Sequence, residues 1–539
     1  MRHVLRTGTA AAAPSFTDSH PYPPVVSFDG GELDCGNGLL LLIRKHIDPL
    51  HRGQLLEILS MESSVEEDLP AWCRLTGNQL VNMTRQGARR SFLVSKGPFN
   101  PPTSGDSTGR GLVEAAPEVV IGKGGKSQAP ITQPVVVPTV PEALPPPVPA
   151  PGPAPLAIMG VGSWPRPRWL LRALHEHLEG RMSDHEFDES ADDAVRLAVE
   201  AQMRAGADVV TDGEQRRDNY ASFVGGLLEN CQLIPVTDLL PYVDDPEEFE
   251  RELAALDVPA GQIRHPAVFG PLGRGRSLTV HEAEFVQRIS DKPVKVSLPG
   301  PYLLTRTMWM ECISDRAYAD REDLASDIVR VLREELHFLL ASGVALVQLD
   351  EPVLTEVVHG TPGRGGRTFM CGALGERRGT EEELGFAQDL LQEVVRGLPQ
   401  ERLALHVCRG NWTPDERMAL AGDYRPLVSL LSAVDVGTLT LELCTHRAGE
   451  IDVLATLPDD RRIGVGVLNQ KDHRVDEVVE IVERAEKAIR LFGAERVLLN
   501  PDCGFATFAD NPIVSAEVAE AKLTVLARAR DLLRDRHGI

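Results

Sequence analysis

Across residues 156–539, eight short β-rich runs alternate with amphipathic helical runs, a periodicity that admits few folds. The β-rich runs fall at 157–162, 207–212, 293–298, 345–350, 403–408, 438–443, 463–467 and 496–500. Helical segments at 189–205, 319–341, 381–398, 474–492 and 514–536 lie between or after them. Eight repeats in such a length predict an α/β fold, a (β/α)8 TIM barrel with insertions. A doubly wound sheet is the weaker option.

Polar clusters collect at one end of these runs. Gly162-Ser163, Asp212-Gly213-Glu214, Gly300-Pro301, Asp350-Glu351-Pro352, His406-Val407-Cys408, Glu442 and Asp502-Cys503 all stand at or just beyond the C-terminal end of an expected strand. Barrel enzymes keep their active sites on that face. Among these residues His406, Cys408, Glu442 and Cys503 are zinc-ligand types drawn from separate strand ends, a pattern of catalytic zinc, whereas structural zinc takes tight local pairs. Zinc held by two thiolates, an imidazole and a carboxylate suits thiol alkylation, because a thiol bound there loses its proton and stays nucleophilic. Ordinary core packing of His406 and Cys408 is the alternative, since free Cys is among the most buried residue types. Alternation along a strand would put Cys444 on the face of Glu442, which leaves Cys444 as a substitute or additional ligand.

A segment at 99–155 contains the run 144–155, Leu-Pro-Pro-Pro-Val-Pro-Ala-Pro-Gly-Pro-Ala-Pro, with no period that could bury a face, and it is expected to be a semi-extended linker. It separates residues 24–98 from the large module at 156–539, and residues 1–23 are expected to be a disordered leader without an apolar signal region. Acidic residues outnumber basic ones 79 to 56, for a formal charge of -23, so nucleic acid and anionic membranes are not expected as partners. Small molecules are. No apolar run is long enough to span a bilayer, and eight unpatterned cysteines fit a reducing cytoplasmic location.

The motifs 161–165 (Val-Gly-Ser-Trp-Pro), 200–214 ending in Asp-Gly-Glu, 348–352 (Gln-Leu-Asp-Glu-Pro), His406-Val407-Cys408, Glu442 and 500–504 (Asn-Pro-Asp-Cys-Gly) resemble the C-terminal catalytic barrel of cobalamin-independent methionine synthase. The resemblance covers nearly all of 156–539. It implies zinc on His406, Cys408, Glu442 and Cys503, and a substrate amino-acid thiol held by Val161, Gly162, Ser163, Glu214 and Asp350. Acidic groups suit the substrate ammonium, and backbone donors suit its carboxylate. An internal ion pair of Glu214 or Asp350 with Arg216 or Arg217 is the competing structural role.

The chain also departs from that family. It lacks the second, N-terminal barrel of the long enzymes; Thr307 stands where the pterin-stacking tryptophan is found, with Trp309 two residues on; and Lys471, with His473 nearby, replaces the proton-donating histidine. Glu356 matches a folate-contacting position. The pattern is closer to short, folate-independent core enzymes, or to zinc enzymes that add thiols to other electrophiles.

In the small module, Leu33-Asp34-Cys35, a helix at 39–46, a strand at 54–59, a helical 68–77 and a last strand at 91–95 resemble a TusA-type sulfur-carrier domain. Cys35 precedes the first helix, where the helix dipole would favour its thiolate and a persulfide, although Gly36-Asn37-Gly38 replaces the family's Pro-x-Pro. Cys73 reads as packing. Three functional readings follow. The first is zinc-dependent methylation or alkylation of a thiol, homocysteine or a relative, with an alkyl donor as second substrate and Lys471 or His473 protonating a leaving group. The second is sulfur transfer from a Cys35 persulfide to an alkyl acceptor at the zinc. The third is a non-catalytic sulfur-relay protein. A sulfur-donor or methyl-carrier protein is the corresponding macromolecular partner.

Overall fold

A computed structural model describes residues 16–17, 19–31, 39–47, 50–62, 65–76, 78–87, 89–99, 133–178, 181–235, 264–360, 378–411, 415–509 and 512–539. The chain divides into two compact units, 1–118 and 119–539.

In the first unit, β1 (Phe16–Thr17), β2 (Val26–Asp29), β3 (Leu55–Ser60), β4 (Gln79–Gln86) and β5 (Arg89–Ser95) form one sheet in the order β1-β4-β5-β3-β2. Helices Leu39–Ile47 and Val65–Leu75 bury Leu39, Ile43, Ile47, Val65, Leu69 and Cys73 with Phe92 and Val94 of β5, so Cys73 packs as expected. Two expectations change here. The expected single last strand is an antiparallel hairpin, β4 with β5, turned at Gly87 (φ +65°). The expected leader is partly built into the sheet: β1 pairs with β4, and His20 bonds Asn82 and Ser91 at 2.7 Å each. Leu33–Cys35 lie outside the described residues.

In the second unit, six parallel strands, β8 (Lys295–Pro299), β9 (Leu346–Asp350), β10 (Leu403–Val407), β11 (Thr438–Leu441), β12 (Arg462–Leu468) and β13 (Val497–Pro501), lie in the order β13-β12-β11-β10-β9-β8. At the two remaining expected strands, 157–162 and 207–212, the chain makes only isolated parallel bridges. These pairs, Ile158 with Leu499, Met159 with Val209 and Val210 with Val294, run from the β13 edge to the residue before β8. The helices at Arg321–Ala341, Thr380–Val395, Val478–Phe492 and Ala516–His537 follow the expected periodicity, and Asp184–Arg204 starts five residues early because Ser183 and Glu186 form a capping box. An insertion after the second β run adds an antiparallel pair, β6 (Glu229–Pro235) with β7 (Arg264–Gly273), absent from the sequence expectation.

Residues 133–155 do not behave as a free linker. Arg402 donates to Val148 O at 2.6 Å, Arg462 to Pro153 O and Arg534 to Pro155 O at 3.1 Å, while Asn230 exchanges two 2.8 Å hydrogen bonds with the Val136 backbone. Proline lacks an N–H, so this strap offers mainly carbonyl acceptors, and long side chains of the wall reach them. The 99–155 expectation therefore changes for 133–155, and 100–132 lie outside the described residues.

Candidate metal centre and substrate cleft

Parallel register sets Asp350 at the end of β9 beside His406 on β10, and His406 Nδ1 lies 2.9 Å from Asp350 Oδ1. That contact leaves Nε2 as the free ring nitrogen, and Nε2 is buried without a hydrogen-bond partner. Ligand atoms of His406, Glu442 and Cys503 lie within 4.8 Å of one another, and Cys408 Sγ is 3.7 Å from Cys503 Sγ. Two sulfurs about 2.3 Å from one tetrahedral ion stand roughly 3.8 Å apart. The donor set, the orphaned Nε2 and the sulfur spacing together fit a zinc ion. Cys408 beside it and burial push the Cys503 thiol well above its usual range, so this buried group of potential anions calls for a cation.

Neighbouring groups hold Glu442, Cys408 and the backbone around them in place. Arg409 N–H donates to Glu442 Oε1 at 2.9 Å, and Glu442 N–H donates to the Tyr424 hydroxyl at 3.0 Å. Asp502 accepts from Leu443 N–H and Cys444 N–H. Gly410 N–H points at Cys408 Sγ from 3.3 Å. β11 ends at Leu441, so the alternation that paired Cys444 with Glu442 does not extend to them. Cys408 joins His406, Glu442 and Cys503 through its contact with Cys503 Sγ, whereas Cys444 is half-buried near Asp502, Arg484 and Asp476 and does not line the cleft.

His406, Cys408 and Cys503 open onto a cleft, partly open to solvent, that is also lined by Val161, Gly162, Ser163, Glu214 and Asp350. Pro352, Gly504, Tyr220 and Thr507 complete its wall; the first two belong to the quoted motifs, and nothing in the local sequence marked Tyr220 or Thr507. Glu214 adopts a left-handed φ of +55°, a costly conformation for a residue with a side chain, and Arg166 holds it by donating to the Glu214 and Arg217 carbonyls. A Cβ on residue 162 would collide with the Glu214 carboxylate, so any side chain there would displace that group. Burial raises Glu214 to about 7, against the pull of Arg217.

The competing ion-pair role is only weakly met. Arg216 bonds Asp192, and Arg217 bonds Glu282 at 2.7 Å while standing 3.9 Å from Glu214 Oε1; Glu214 Oε2 is buried with no partner. Asp350 has a further role, because the oxygen expected for substrate also orients the His406 ring and accepts from Gln348 at 2.8 Å.

Lys471 is buried, its ammonium lowered by burial and raised by Glu442, Cys408 and Cys503, whereas His473 is exposed. Glu356 is buried on the helix Val353–His359 and does not line the cleft. Thr307, on the helix Pro301–Met308, is buried with its hydroxyl on Leu303 O, and Trp309 is half-buried just after that helix. Cys35 lies outside the described residues. Among the described residues, no helix is long and apolar enough to cross a membrane.

Residues 156–237, 256–365 and 402–522 match the family model "Cobalamin-independent synthase, Catalytic domain". The methionine synthases of Saccharolobus solfataricus and Sulfolobus acidocaldarius are 22% and 25% identical over 376 and 369 residues. These cover 70% and 68% of this chain and 94% and 91% of the relatives. A B12-independent methionine synthase from Shewanella sp. W3-18-1, solved in complex with selenomethionine, superposes with a TM-score of 0.53 at 20% identity over 71% of this chain and 99% of its own. A putative vitamin-B12-independent methionine synthase from Listeria monocytogenes gives 0.51 at 19%, over 71% and 98%. Both solved structures share the α/β fold with its parallel sheet. With more than half of its length matched by the family model, the chain belongs to the cobalamin-independent methionine synthase catalytic-domain family.

Proposed function

We propose that the second unit is a closed eight-stranded barrel that binds zinc through His406, Cys408, Glu442 and Cys503 and methylates the thiol of homocysteine or a closely related amino acid. The observation that carries this reading is the convergence of four zinc-type ligands, with His406 Nε2 left unpartnered, on a cleft that also holds an unpartnered carboxylate oxygen of Glu214. The bridges through Ile158, Met159, Val209 and Val210 support closure of the barrel, and the names of the relatives support the reaction.

Zinc, when bound, would acidify the substrate thiol and leave it nucleophilic at neutral pH. The chain's own residues supply the rest. Glu214 and Asp350 hold the substrate ammonium, and backbone N–H groups at 162–163 hold its carboxylate, so the sulfur is delivered to the ligand end of the cleft. Binding an ammonium also favours ionisation of Glu214, whose carboxyl is otherwise near its midpoint at neutral pH. Lys471, buried beside the ligands, is placed to protonate a leaving group, a role that its exposed neighbour His473 is less suited to. Residues 24–98 form a TusA-like unit in this proposal, consistent with their β2, helix, β3, helix and hairpin order, and Cys35 is its candidate sulfur carrier.

The test is metal analysis of the purified chain, followed by product analysis with homocysteine and a panel of methyl donors including a methylated folate and a methylated corrinoid protein. Methionine formed with one donor, lost on zinc removal and regained on its return, is the expected result. Turnover that persists at full rate without zinc would overturn the reading.

A further inference from the structure

The Val161 carbonyl oxygen accepts three side-chain hydrogen bonds: from Lys295 Nζ at 2.7 Å, Ser297 Oγ at 3.0 Å and Gln348 Nε2 at 3.0 Å. A carbonyl oxygen has two lone pairs, so three donors from two neighbouring strands fix its direction more firmly than any one of them requires. Lys295 and Gln348 are fully buried and Ser297 is 4% exposed. Lysine is rarely buried so completely unless paired. Among the described residues no carboxylate lies within ion-pair distance of Lys295 Nζ; its second hydrogen bond goes to Gln348 Oε1 at 3.0 Å. Burial pulls its ammonium down to about 8, while Asp350 and Glu214, both walls of the cleft, pull it up.

A planar trans peptide points its N–H opposite to its C=O. With the Val161 carbonyl held toward the strand interior by Lys295, Ser297 and Gln348, the Gly162 N–H faces the other way. The next peptide is fixed in the same manner, because Thr211 Oγ1 donates to Gly162 O at 2.8 Å. Gly162 and Ser163 line the cleft.

We propose that Lys295 is a positioning residue for amino-acid recognition, locking the Val161–Gly162 peptide so that Gly162 N–H meets the substrate carboxylate, and supplying a buried positive charge that offsets the cleft acids. This rests on the reading of the cleft as an amino-acid thiol site.

The experiment is calorimetric binding of two thiols to the zinc-loaded full chain: homocysteine, and 3-aminopropane-1-thiol, which lacks only the carboxylate. Lys295→Met is expected to weaken homocysteine binding by about 10- to 100-fold, the range for orienting partners of a site, and to change binding of the decarboxylated thiol by less than about threefold. Ser297→Ala, a milder loss of one donor, is expected to weaken homocysteine selectively by a few-fold, and it carries the test if the lysine variant fails to fold. Equal losses for both thiols, or unchanged homocysteine affinity, would overturn the positioning role alone. Wild-type protein that binds neither thiol would overturn the reading of the cleft and the proposal with it.

Discussion

Each unit holds a cluster of polar side chains, and the two clusters differ in what they leave unsatisfied. In the first unit His20 bonds Asn82 and Ser91, Ser91 bonds Glu57 at 2.9 Å, and Ser27 bonds the other Glu57 oxygen at 2.8 Å, so the contacts close on one another. In the second unit the cleft keeps buried atoms without partners: His406 Nε2, Glu214 Oε2 and Thr507 Oγ1. Burying an unpaired polar atom costs roughly 1 to 3 kcal/mol, and a ligand that pairs with it recovers that cost. The first cluster is therefore read as a fastener for the segment around β1, and the second as a binding site.

Glu214→Gln should separate the two most strongly. The folded value of Glu214, about 7, lies above its usual 4.5, so the folded state holds the extra proton. Its burden on stability is absent below pH about 4.5 and grows as pH rises to about 7, on the order of 3 kcal/mol when complete. Denaturation curves across that range should show the decline in wild type and a flatter profile in the variant, while homocysteine binding falls by roughly 100-fold or more. A variant that is less stable at neutral pH would mean that Glu214 is a structural partner after all. His20→Ala should do the opposite, costing about 1 to 3 kcal/mol in the unfolding of the first unit and leaving zinc content and thiol affinity of the second unchanged. A drop in zinc with this variant would break the division between fastener and site. The smallest effect is expected at the strap, where Asn230→Ala removes both hydrogen bonds to Val136. Hydrogen exchange at the Val136 amide should speed up, with zinc content and thiol binding intact.

Six of the eight expected strands and the long helices were legible because their apolar periodicity is local. The proposed ligand residues were legible because His406, Cys408, Glu442 and Cys503 are chemically distinctive and stand where strands end. What escaped depends on contacts between residues far apart in sequence. The strap reads as linker because its partners Asn230, Arg402, Arg462 and Arg534 lie 94 to 379 positions away. Lys295 reads as an ordinary strand lysine, since only the fold brings Val161 and Gln348 to its ammonium. β4 was missed because Gln79–Gln86 mixes polar and apolar residues on a strand whose order comes from pairing with β5 on one side and β1 on the other. The Glu442 and Cys444 ambiguity arose from assuming that alternation continued past Leu441, where the strand stops.

The proposed function stands on His406, Cys408, Glu442 and Cys503 forming one zinc site. It is tested most directly by the zinc content of purified wild type, Cys408→Ser and Cys503→Ser, each shown folded by circular dichroism and thermal unfolding. Close to one zinc per chain is expected in the wild type, and loss of most of it in both variants, with the fold retained. Stoichiometric zinc kept by both variants would contradict it.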